Sequence, residues 1–241
     1  YHIKSWYELE ISYQKITPNK NFGVSFPTFI NFNKNEKIEG LKILKKFGLK
    51  ENDRWICVHN RDDFFKITMD GQEVENHHSH RNFNIQSLEG AIKYFTDKGF
   101  YVFRMGSNQR DKLNLKGDKI IDYSFSNDKS DFADIYLLSN CYLYFGSNSG
   151  TANPPITFKK YISYINFQPS HLNISNYLKT TPSIFKKLYC LKTKKLLSIK
   201  QLYENKLIGV SDSRIFDKLG YKHIDNTFEE ITELAQEVIQ T

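Results

Sequence analysis

The chain has 241 residues, of which 39% are hydrophobic and 15% aromatic, a composition that excludes a disordered protein and allows one large or two small folded domains. Its formal net charge of +7 favours an anionic ligand or an anionic membrane surface as a partner. No apolar run approaches the roughly 20 residues that a helix needs to cross a bilayer.

The cysteines Cys57, Cys141 and Cys190 are widely spaced and odd in number. This argues against a disulfide framework and favours a reducing compartment, so we predict a cytoplasmic location, which includes the inner face of the plasma membrane. The sequence begins at Tyr1 without a signal-type leader, and we expect it to be an excerpt of a longer chain.

The first quarter of the chain contains one predicted helix and one predicted strand. Residues 1–35 show no clear periodicity and are interpreted as a linker or the tail of a preceding domain. Apolar residues at helical spacing predict a helix over 36–47. The apolar run 55–59 predicts a strand that ends in a strongly polar loop, H-N-R-D-D.

The middle of the chain alternates predicted helices and strands. A polar, histidine-rich stretch at 73–81 is predicted to be flexible, and a helix over 85–98 and a strand over 100–105 follow it. A strand over 119–123 and a helix over 130–140 come next. This alternation predicts an α/β fold with a doubly wound, Rossmann-like parallel sheet.

The segment 141–166 carries the strongest functional signal. A strand over 142–145 leads at once into the turn Gly146-Ser147-Asn148-Ser149-Gly150, then a helix that begins near Thr151 and a strand over 161–165. Backbone N–H groups and serine hydroxyls in such a turn can approach a phosphate, and a helix N-terminus adds positive potential. Alternatively, Gly and Ser fill the turn for conformational reasons alone. Asn at the centre excludes the nucleophile elbow of an α/β-hydrolase.

The last third of the chain is less regular. Six lysines lie between residues 186 and 200, where they could contact anionic lipid headgroups or nucleic acid, although we favour a solvated surface. An amphipathic helix is predicted over 227–239 and is expected to pack back on the sheet. Thr227 and Glu230 have the spacing of a capping box at its start.

Three arginines form the main candidate binding set. Arg61, Arg81 and Arg104 each stand at the end of a predicted strand or just before a predicted helix. Ligands of open parallel sheets bind outside the carboxyl ends of the strands, and arginine binds phosphate through two parallel N–H donors. Each arginine alone is more often a surface ion-pair partner, so the hypothesis depends on their shared position.

Candidate general bases lie in the loop after the first predicted strand. His59, Asp62 and Asp63 are groups that can take a proton from an attacking hydroxyl. The alternative for the carboxylates is an ordinary salt bridge with Arg61.

Other polar side chains have weaker signals. Asp122 and Ser124 follow the strand over 119–123 and can orient a nucleotide base or a ribose hydroxyl. His77, His78 and His80 suggest a metal site, but their spacing matches no closed zinc pattern. We therefore predict a solvated, mobile loop there and no metal.

Several strings of the sequence, in order, resemble a family of bacterial proteins classed as glycosyltransferases and encoded in surface-polysaccharide gene clusters. They are V-H-N-R-D-D-F-F, H-R-N-F-N-I, G-F-Y-V-F-R-M-G, I-D-Y-S, S-D-F-A-D-I-Y-L-L-S-N-C, F-G-S-N-S-G and I-D-N-T-F-E-E-I, and they run from about Gly40 to Ile231. The resemblance places Arg61-Asp62 at an R-D position, Arg81-Asn82 at an R-N position, Arg104 and Gly106 at an R-M-G position, and Ser149-Gly150 at an S-G position.

This resemblance implies a GT-B-like architecture, in which two Rossmann-like domains face a cleft and the C-terminal one holds the nucleotide-sugar donor. Residues 36–241 then form the donor-binding domain, preceded by part of another domain. The resemblance also implies that no divalent metal or other cofactor is needed, because helix dipoles and basic side chains stabilise the departing diphosphate.

With the phosphate-binding turn and the arginine set, this resemblance implies a glycosyltransferase that moves a sugar from a nucleotide sugar to a carbohydrate or lipid-linked acceptor. The alternatives are a non-catalytic nucleotide-sugar-binding module of a polysaccharide assembly complex and a nucleic-acid binder, for which we find no recognised motif. The predicted catalytic residues are His59, Arg61 and Asp62. The predicted substrate-binding residues are Arg81, Asn82, Arg104, Gly106, Ser107, Asp122, Ser124, Ser147, Ser149 and Gly150.

Overall fold

A five-stranded parallel sheet forms the centre of the computed structural model, which describes residues 31–64, 76–169 and 182–240. Its strands lie in the order β3-β2-β1-β4-β5, the order of Rossmann-like sheets, and every neighbouring pair is parallel. The predicted α/β fold with a parallel sheet is therefore confirmed. The strands are β1 (Trp55–His59), β2 (Tyr101–Arg104), β3 (Ile120–Ile121), β4 (Leu143–Gly146) and β5 (Tyr161–Tyr164).

Helices cover both faces of this sheet. Side chains of β1 alternate between two cores, with Trp55 and Cys57 in one and Ile56 and Val58 in the other. Helices α1 and α3 contribute to the first core, and α2 and α7 to the second. No helix within the described ranges is both long and apolar enough to cross a bilayer. The helices are α1 (Lys34–Lys46), α2 (Glu89–Asp97), α3 (Asp131–Asn140), α4 (Asn153–Thr157), α5 (Ile199–Glu204), α6 (Ser213–Lys218) and α7 (Phe228–Gln240).

Side-chain caps determine where the first and last of these helices begin. Asn33 caps α1, because its side chain accepts the backbone N–H of Glu36 at 3.0 Å. At α7, the hydroxyl of Thr227 accepts the N–H of Glu230 at 3.2 Å, and a Glu230 carboxylate oxygen accepts the N–H of Thr227 at 3.0 Å. This confirms the predicted capping box. Ile231 of α7 is buried in the core that α2 shares, which confirms that the terminal helix packs back on the sheet.

A second, smaller sheet, which the sequence pattern does not predict, follows β5. Strands β6 (Lys187–Cys190), β7 (Lys195–Leu196) and β8 (Tyr221–Ile224) are antiparallel, in the order β7-β6-β8. Leu188 and Phe216 are buried in a separate core between this sheet and helices α5 and α6. Asn166 and Asn226 join the small sheet to the carboxyl end of β5, each side-chain oxygen accepting the backbone N–H of the other residue at 2.8 and 2.7 Å. The small sheet therefore stands beside the edge where ligands of parallel sheets bind.

Candidate functional site

The carboxyl ends of β1 and β4 meet at the point where the strand order reverses. His59, the last residue of β1, is paired with Gly146, the last residue of β4. A Cβ atom on Gly146 would lie 2.3 Å from the backbone oxygen of His59, so only glycine allows this approach. Ser147 then donates its backbone N–H to the same oxygen at 3.0 Å. The loops after both strands thus leave the sheet side by side, where open α/β sheets bind ligands.

The turn after β4 presents small polar groups at this edge. The Ser147 hydroxyl is buried and has no hydrogen-bond partner among the described residues. The Ser149 hydroxyl lies 2.7 Å from that of Thr151. A Cβ atom on Gly150 would have no heavy atom within 4 Å, so the turn is open on that side. Because the Ser147 hydroxyl is closed off, the groups that the turn exposes to a ligand are those of half-buried Asn148 and Ser149 and of exposed Gly150.

The helix after the turn is shorter than the sequence predicts. Residues Gly150–Ala152 form a single turn of 3₁₀ helix, and α4 has five residues and no side-chain cap. So few aligned peptide dipoles contribute little potential. The positive charge of this site therefore comes from side chains.

Arg61 and Arg81 meet beside the turn. Arg61, in the loop after β1, donates to the backbone oxygen of His78 at 3.1 Å and to the side-chain oxygen of Asn82. Arg81 donates to the backbone oxygen of Asn148, at the centre of the turn. The structure thus brings the R-D, R-N and S-G positions together.

The electrostatics of this pair favour an anionic ligand. Burial, and after it the charge of Arg81, lowers the pKa of Arg61 to about 10, although Asp63 and Asp62 oppose this, and burial also lowers the pKa of Arg81. Neither arginine forms a salt bridge within the described part of the chain. Half-buried charges without an ion-pair partner are costly, so an anionic ligand would stabilise both guanidinium groups.

Lys186 is a third cation of this site, and the sequence analysis missed it. Its side chain is only 2% exposed, which contradicts the solvated surface expected for this part of the lysine-rich segment. The ammonium group donates to the backbone oxygen of Asn82 at 2.7 Å and lies 2.5 Å from a carboxylate oxygen of Asp225. Burial lowers the pKa of Lys186, Asp225 opposes this, and Arg61 adds to the lowering. No local signal separates Lys186 from the exposed lysines that follow it.

Arg104 differs from the other two predicted arginines. Its side chain is 0% exposed, so it has no surface for the direct phosphate contact that the sequence predicts. One terminal nitrogen donates to Asp122 at 3.2 Å, and the other donates to the side-chain oxygens of Asn60 and Gln109 at 3.2 and 3.1 Å. The same nitrogen also donates to the backbone oxygen of Asp111 at 3.1 Å. Arg104 therefore holds together the loops that carry the site.

The remaining predicted residues lie around Arg104. Both carboxylate oxygens of Asp122 have protein donors, Arg104 and the backbone N–H of Leu113 at 2.9 Å, so the structure ties Asp122 to these loops. Gly106 has a φ of +136°, which favours glycine, and half-buried Ser107 follows it. The Ser124 hydroxyl is buried and has no hydrogen-bond partner among the described residues.

The three candidate bases have different surroundings. His59 is buried and donates from Nδ1 to the backbone oxygen of Met105 at 3.0 Å, which leaves the lone pair on Nε2. Asp62 is half-buried, and its two oxygens accept backbone N–H groups of Phe64 and Arg110 at 3.1 and 3.0 Å. Asp63 forms a salt bridge at 3.1 Å, with Arg110 rather than with Arg61. Of the three, Asp62 combines a fixed orientation with access to solvent.

The buried His59 predicts a loss of stability in acid. Burial lowers its pKa to about 4 from the ordinary 6.5, so on acidification the unfolded chain binds this proton first. The stabilisation is complete above pH 6.5 and is lost as the pH falls from there towards 4. Between pH 7 and pH 5 we expect His59 to account for a loss of about 2 kcal/mol in the free energy of unfolding.

Urea unfolding at both pH values, for the natural protein and for His59→Asn, measures this contribution. His223, whose pKa burial also lowers to about 4, stays in the variant and serves as the internal reference. Equal pH dependence of the two proteins would contradict the assignment.

In its described part, the histidine-rich stretch is not the solvated loop that the sequence analysis predicts. Residues Asn76–Arg81 form a 3₁₀ helix, while 73–75 lie outside the described residues. His80 is buried, with its ring centroid 5.1 Å from that of His223 on the small sheet. The prediction was wrong because the sequence did not show the small sheet against which this stretch packs. No group of three or more His, Cys, Asp or Glu side chains in the described ranges could hold a metal ion.

Comparison with known proteins gives one distant structural likeness. No family model and no curated protein matches the sequence. Among solved structures, the chain is similar to the wall teichoic acid polymerase TagF, with a TM-score of 0.37 and 14% sequence identity over 86% of this chain. The chain spans about half of that structure, 48% of its length. A likeness of this degree leaves the function to be inferred from the geometry of the site.

Proposed function

We propose that this protein is a glycosyltransferase whose donor is a nucleotide sugar. The observation that carries the proposal is the pair Arg61 and Arg81, half-buried, adjacent and without a salt bridge among the described residues, beside an open small-residue turn at the switch point of the sheet. A diphosphate supplies the negative charge that two guanidinium groups require. The resemblance of the R-D, R-N and S-G positions favours an activated sugar as the group that carries this diphosphate.

Each charged group has a role in the proposed transfer. An acceptor hydroxyl attacks the anomeric carbon of the donor, the bond from that carbon to the diphosphate oxygen breaks, and Asp62 takes the hydroxyl proton. Arg61 and Arg81 neutralise the charge that develops on the departing nucleoside diphosphate. Lys186, whose charge is paired with Asp225, holds the backbone of Asn82. The proposal includes no metal ion or cofactor, since these side chains supply the positive charge.

The other parts of the proposal concern the architecture and the acceptor. The five-stranded sheet takes the place of the donor-binding half of a GT-B-like enzyme. The facing half would carry the acceptor, a carbohydrate or lipid-linked hydroxyl used in surface polysaccharide synthesis. Arg104 and Asp122 act as positioning residues, because their contacts join the loops after β1, β2 and β3.

A thermal-shift screen of nucleoside diphosphates, nucleotide sugars and free sugars tests the donor assignment. A ligand that binds only the folded protein stabilises it by mass action. At a concentration about 100 times its Kd, the true donor is expected to raise the Tm by roughly 5 °C or more. Free sugars without phosphate should leave it unchanged. If every nucleotide and nucleotide sugar also leaves the Tm unchanged, the proposal is wrong.

Donor hydrolysis distinguishes the enzyme from a non-catalytic binding module with the same pocket. The nucleotide sugar that gives the largest shift is incubated with the protein, and the release of nucleoside diphosphate is followed with and without candidate acceptors. The enzyme is expected to release the diphosphate slowly alone and faster with an acceptor. Stabilisation without any release, in the natural protein and in Asp62→Asn alike, would favour the binding module.

A further inference from the structure

One short segment carries the entire charge excess of the chain. Between residues 186 and 222 lie ten of the 34 Lys and Arg residues but only three of the 27 Asp and Glu residues. This segment therefore has a formal charge of +7, and the rest of the chain, with 24 residues of each sign, is neutral. The segment is also the one that builds the small sheet and helices α5 and α6. A charge so concentrated indicates a local partner rather than a general solubility device.

Three of these lysines form an unpaired group at the hairpin of β6 and β7. Lys192, Lys194 and Lys195 are exposed, and none has a salt bridge within the described ranges. By contrast, Lys187 is paired with Glu230, and Lys200 lies 3.7 Å from Glu204. The hairpin therefore presents three ammonium groups to the outside without a neutralising acid.

Large apolar side chains are exposed on the same hairpin. Leu191 and Leu196 are 55% and 53% exposed. Leu196 is paired with Tyr189, one residue along from buried Leu188, so its side chain lies on the face of the sheet away from the small core, whereas Lys195, which is paired with Cys190, points to the opposite face of the hairpin. The backbone N–H of Leu191 donates to the oxygen of Gly220 at 2.9 Å. Leu219, the residue before Gly220, therefore lies near the hairpin, and it is 54% exposed. We call Leu191, Lys192, Lys194, Lys195, Leu196 and Leu219 the hairpin surface.

We propose that the hairpin surface docks on a bilayer that contains anionic lipids. Lysine ammonium groups bind lipid phosphates, and leucine side chains on the same hairpin can enter the headgroup and acyl boundary. A nucleic acid would use the lysines but not the leucines, and single strands bind chiefly by stacking on exposed aromatic rings. The one arginine of the segment, Arg214, is paired with Asp212 on α6. The combination of lysine with leucine thus favours a lipid surface.

The hairpin surface is separate from the anion site. Lys186 belongs to that site and directly precedes β6, whereas the hairpin follows the other end of β6. Four residues of strand span about 13 Å, so a diphosphate on Arg61 and Arg81 does not occupy the hairpin lysines. Membrane binding and donor binding can therefore be tested independently.

Co-sedimentation with lipid vesicles tests the docking. The chain is expected to bind vesicles of equal parts phosphatidylcholine and phosphatidylglycerol, and not vesicles of phosphatidylcholine alone. The triple variant Lys192→Gln, Lys194→Gln and Lys195→Gln is expected to bind the anionic vesicles roughly 100-fold more weakly. The matched control makes the same change at Lys42, Lys45 and Lys93, exposed lysines of α1 and α2, and should bind as the natural protein does. Equal losses in both triple variants, or no binding by the natural protein, would overturn the proposal.

A second pair of variants tests the apolar contribution. Leu191→Ser with Leu196→Ser keeps every lysine and is expected to reduce vesicle binding roughly tenfold or more. Ile38→Ser with Ile135→Ser, at comparably exposed positions on α1 and α3, is the control and should have no effect.

Oligonucleotide binding gives the rival outcome. Suppose that the natural protein binds a duplex or single-stranded oligonucleotide tightly but does not bind vesicles. If the triple lysine variant then loses oligonucleotide binding and the double leucine variant keeps it, the surface binds nucleic acid and lipid docking is refuted. The nucleotide thermal shift should be the same in all these variants, so a failed donor screen would leave the docking result intact.

Discussion

Replacing Arg81 with alanine is expected to weaken binding of the nucleotide donor by roughly 100-fold, because charge-assisted hydrogen bonds contribute about 1.5–3 kcal/mol each. Arg81 lies against the turn through its bond to the Asn148 oxygen, and a guanidinium in that place reaches both the turn and a bound phosphate. Titration calorimetry with the nucleotide that gives the largest thermal shift measures the effect. Arg81→Lys keeps the charge but loses the bidentate geometry, so its affinity for the donor should lie between that of the natural protein and that of Arg81→Ala.

The stability of the unliganded Arg81→Ala protein separates a ligand-binding role from a structural one. Removing one of two adjacent, half-buried like charges relieves repulsion with Arg61, so the free energy of unfolding should not fall. Arg54→Ala, at an exposed arginine before β1 and thus at the opposite edge of the sheet, is the control for donor affinity. If Arg81→Ala and Arg61→Ala both bind the nucleotide donor as tightly as the natural protein, the proposed binding site is wrong.

Replacing Arg104 with methionine is expected to reduce stability, unlike Arg81→Ala, with a loss of about 3–5 kcal/mol in the free energy of unfolding. The methionine fills most of the volume but removes the Arg104 donor from the buried acceptors of Asn60 and Gln109 and from half-buried Asp122. Urea unfolding measures this loss. Arg110→Met, which breaks the exposed pair with Asp63, should cost no more than about 1 kcal/mol.

The Arg104 experiment also decides between the role predicted from sequence and the role seen in the structure. If Arg104→Met keeps the stability of the natural protein but loses nucleotide binding, then Arg104 contacts the ligand, as its position at the end of β2 predicts. If stability falls as expected, Arg104 is a positioning residue, and any loss of activity reflects the loops that it holds.

Arg81 and Arg104 show how far sequence reasoning reaches in this protein. Both stand at positions from which a side chain can face the edge of the sheet. Their difference depends on partners that are distant in the chain, since Asn60 is 44 residues before Arg104, and Asn148 is 67 residues after Arg81. Lys186 is the extreme case, because the Asn82 oxygen that it binds is 104 residues away. No local pattern records such contacts.

The order of helices and strands around the five-stranded sheet, the sheet's parallel direction and the capping box of α7 were determined by the sequence itself, because periodic burial and side-chain caps act over a few neighbouring residues. Periodicity also marked the edge of the sheet where the loops gather. Only the tertiary structure decided which charges meet there: it buried Arg104 within its own acceptors, brought Arg61, Arg81 and Lys186 together, and left the hairpin lysines outside. Burial and pairing depend on what packs opposite a side chain. Here the small antiparallel sheet packs opposite the site, and the sequence pattern does not predict that sheet.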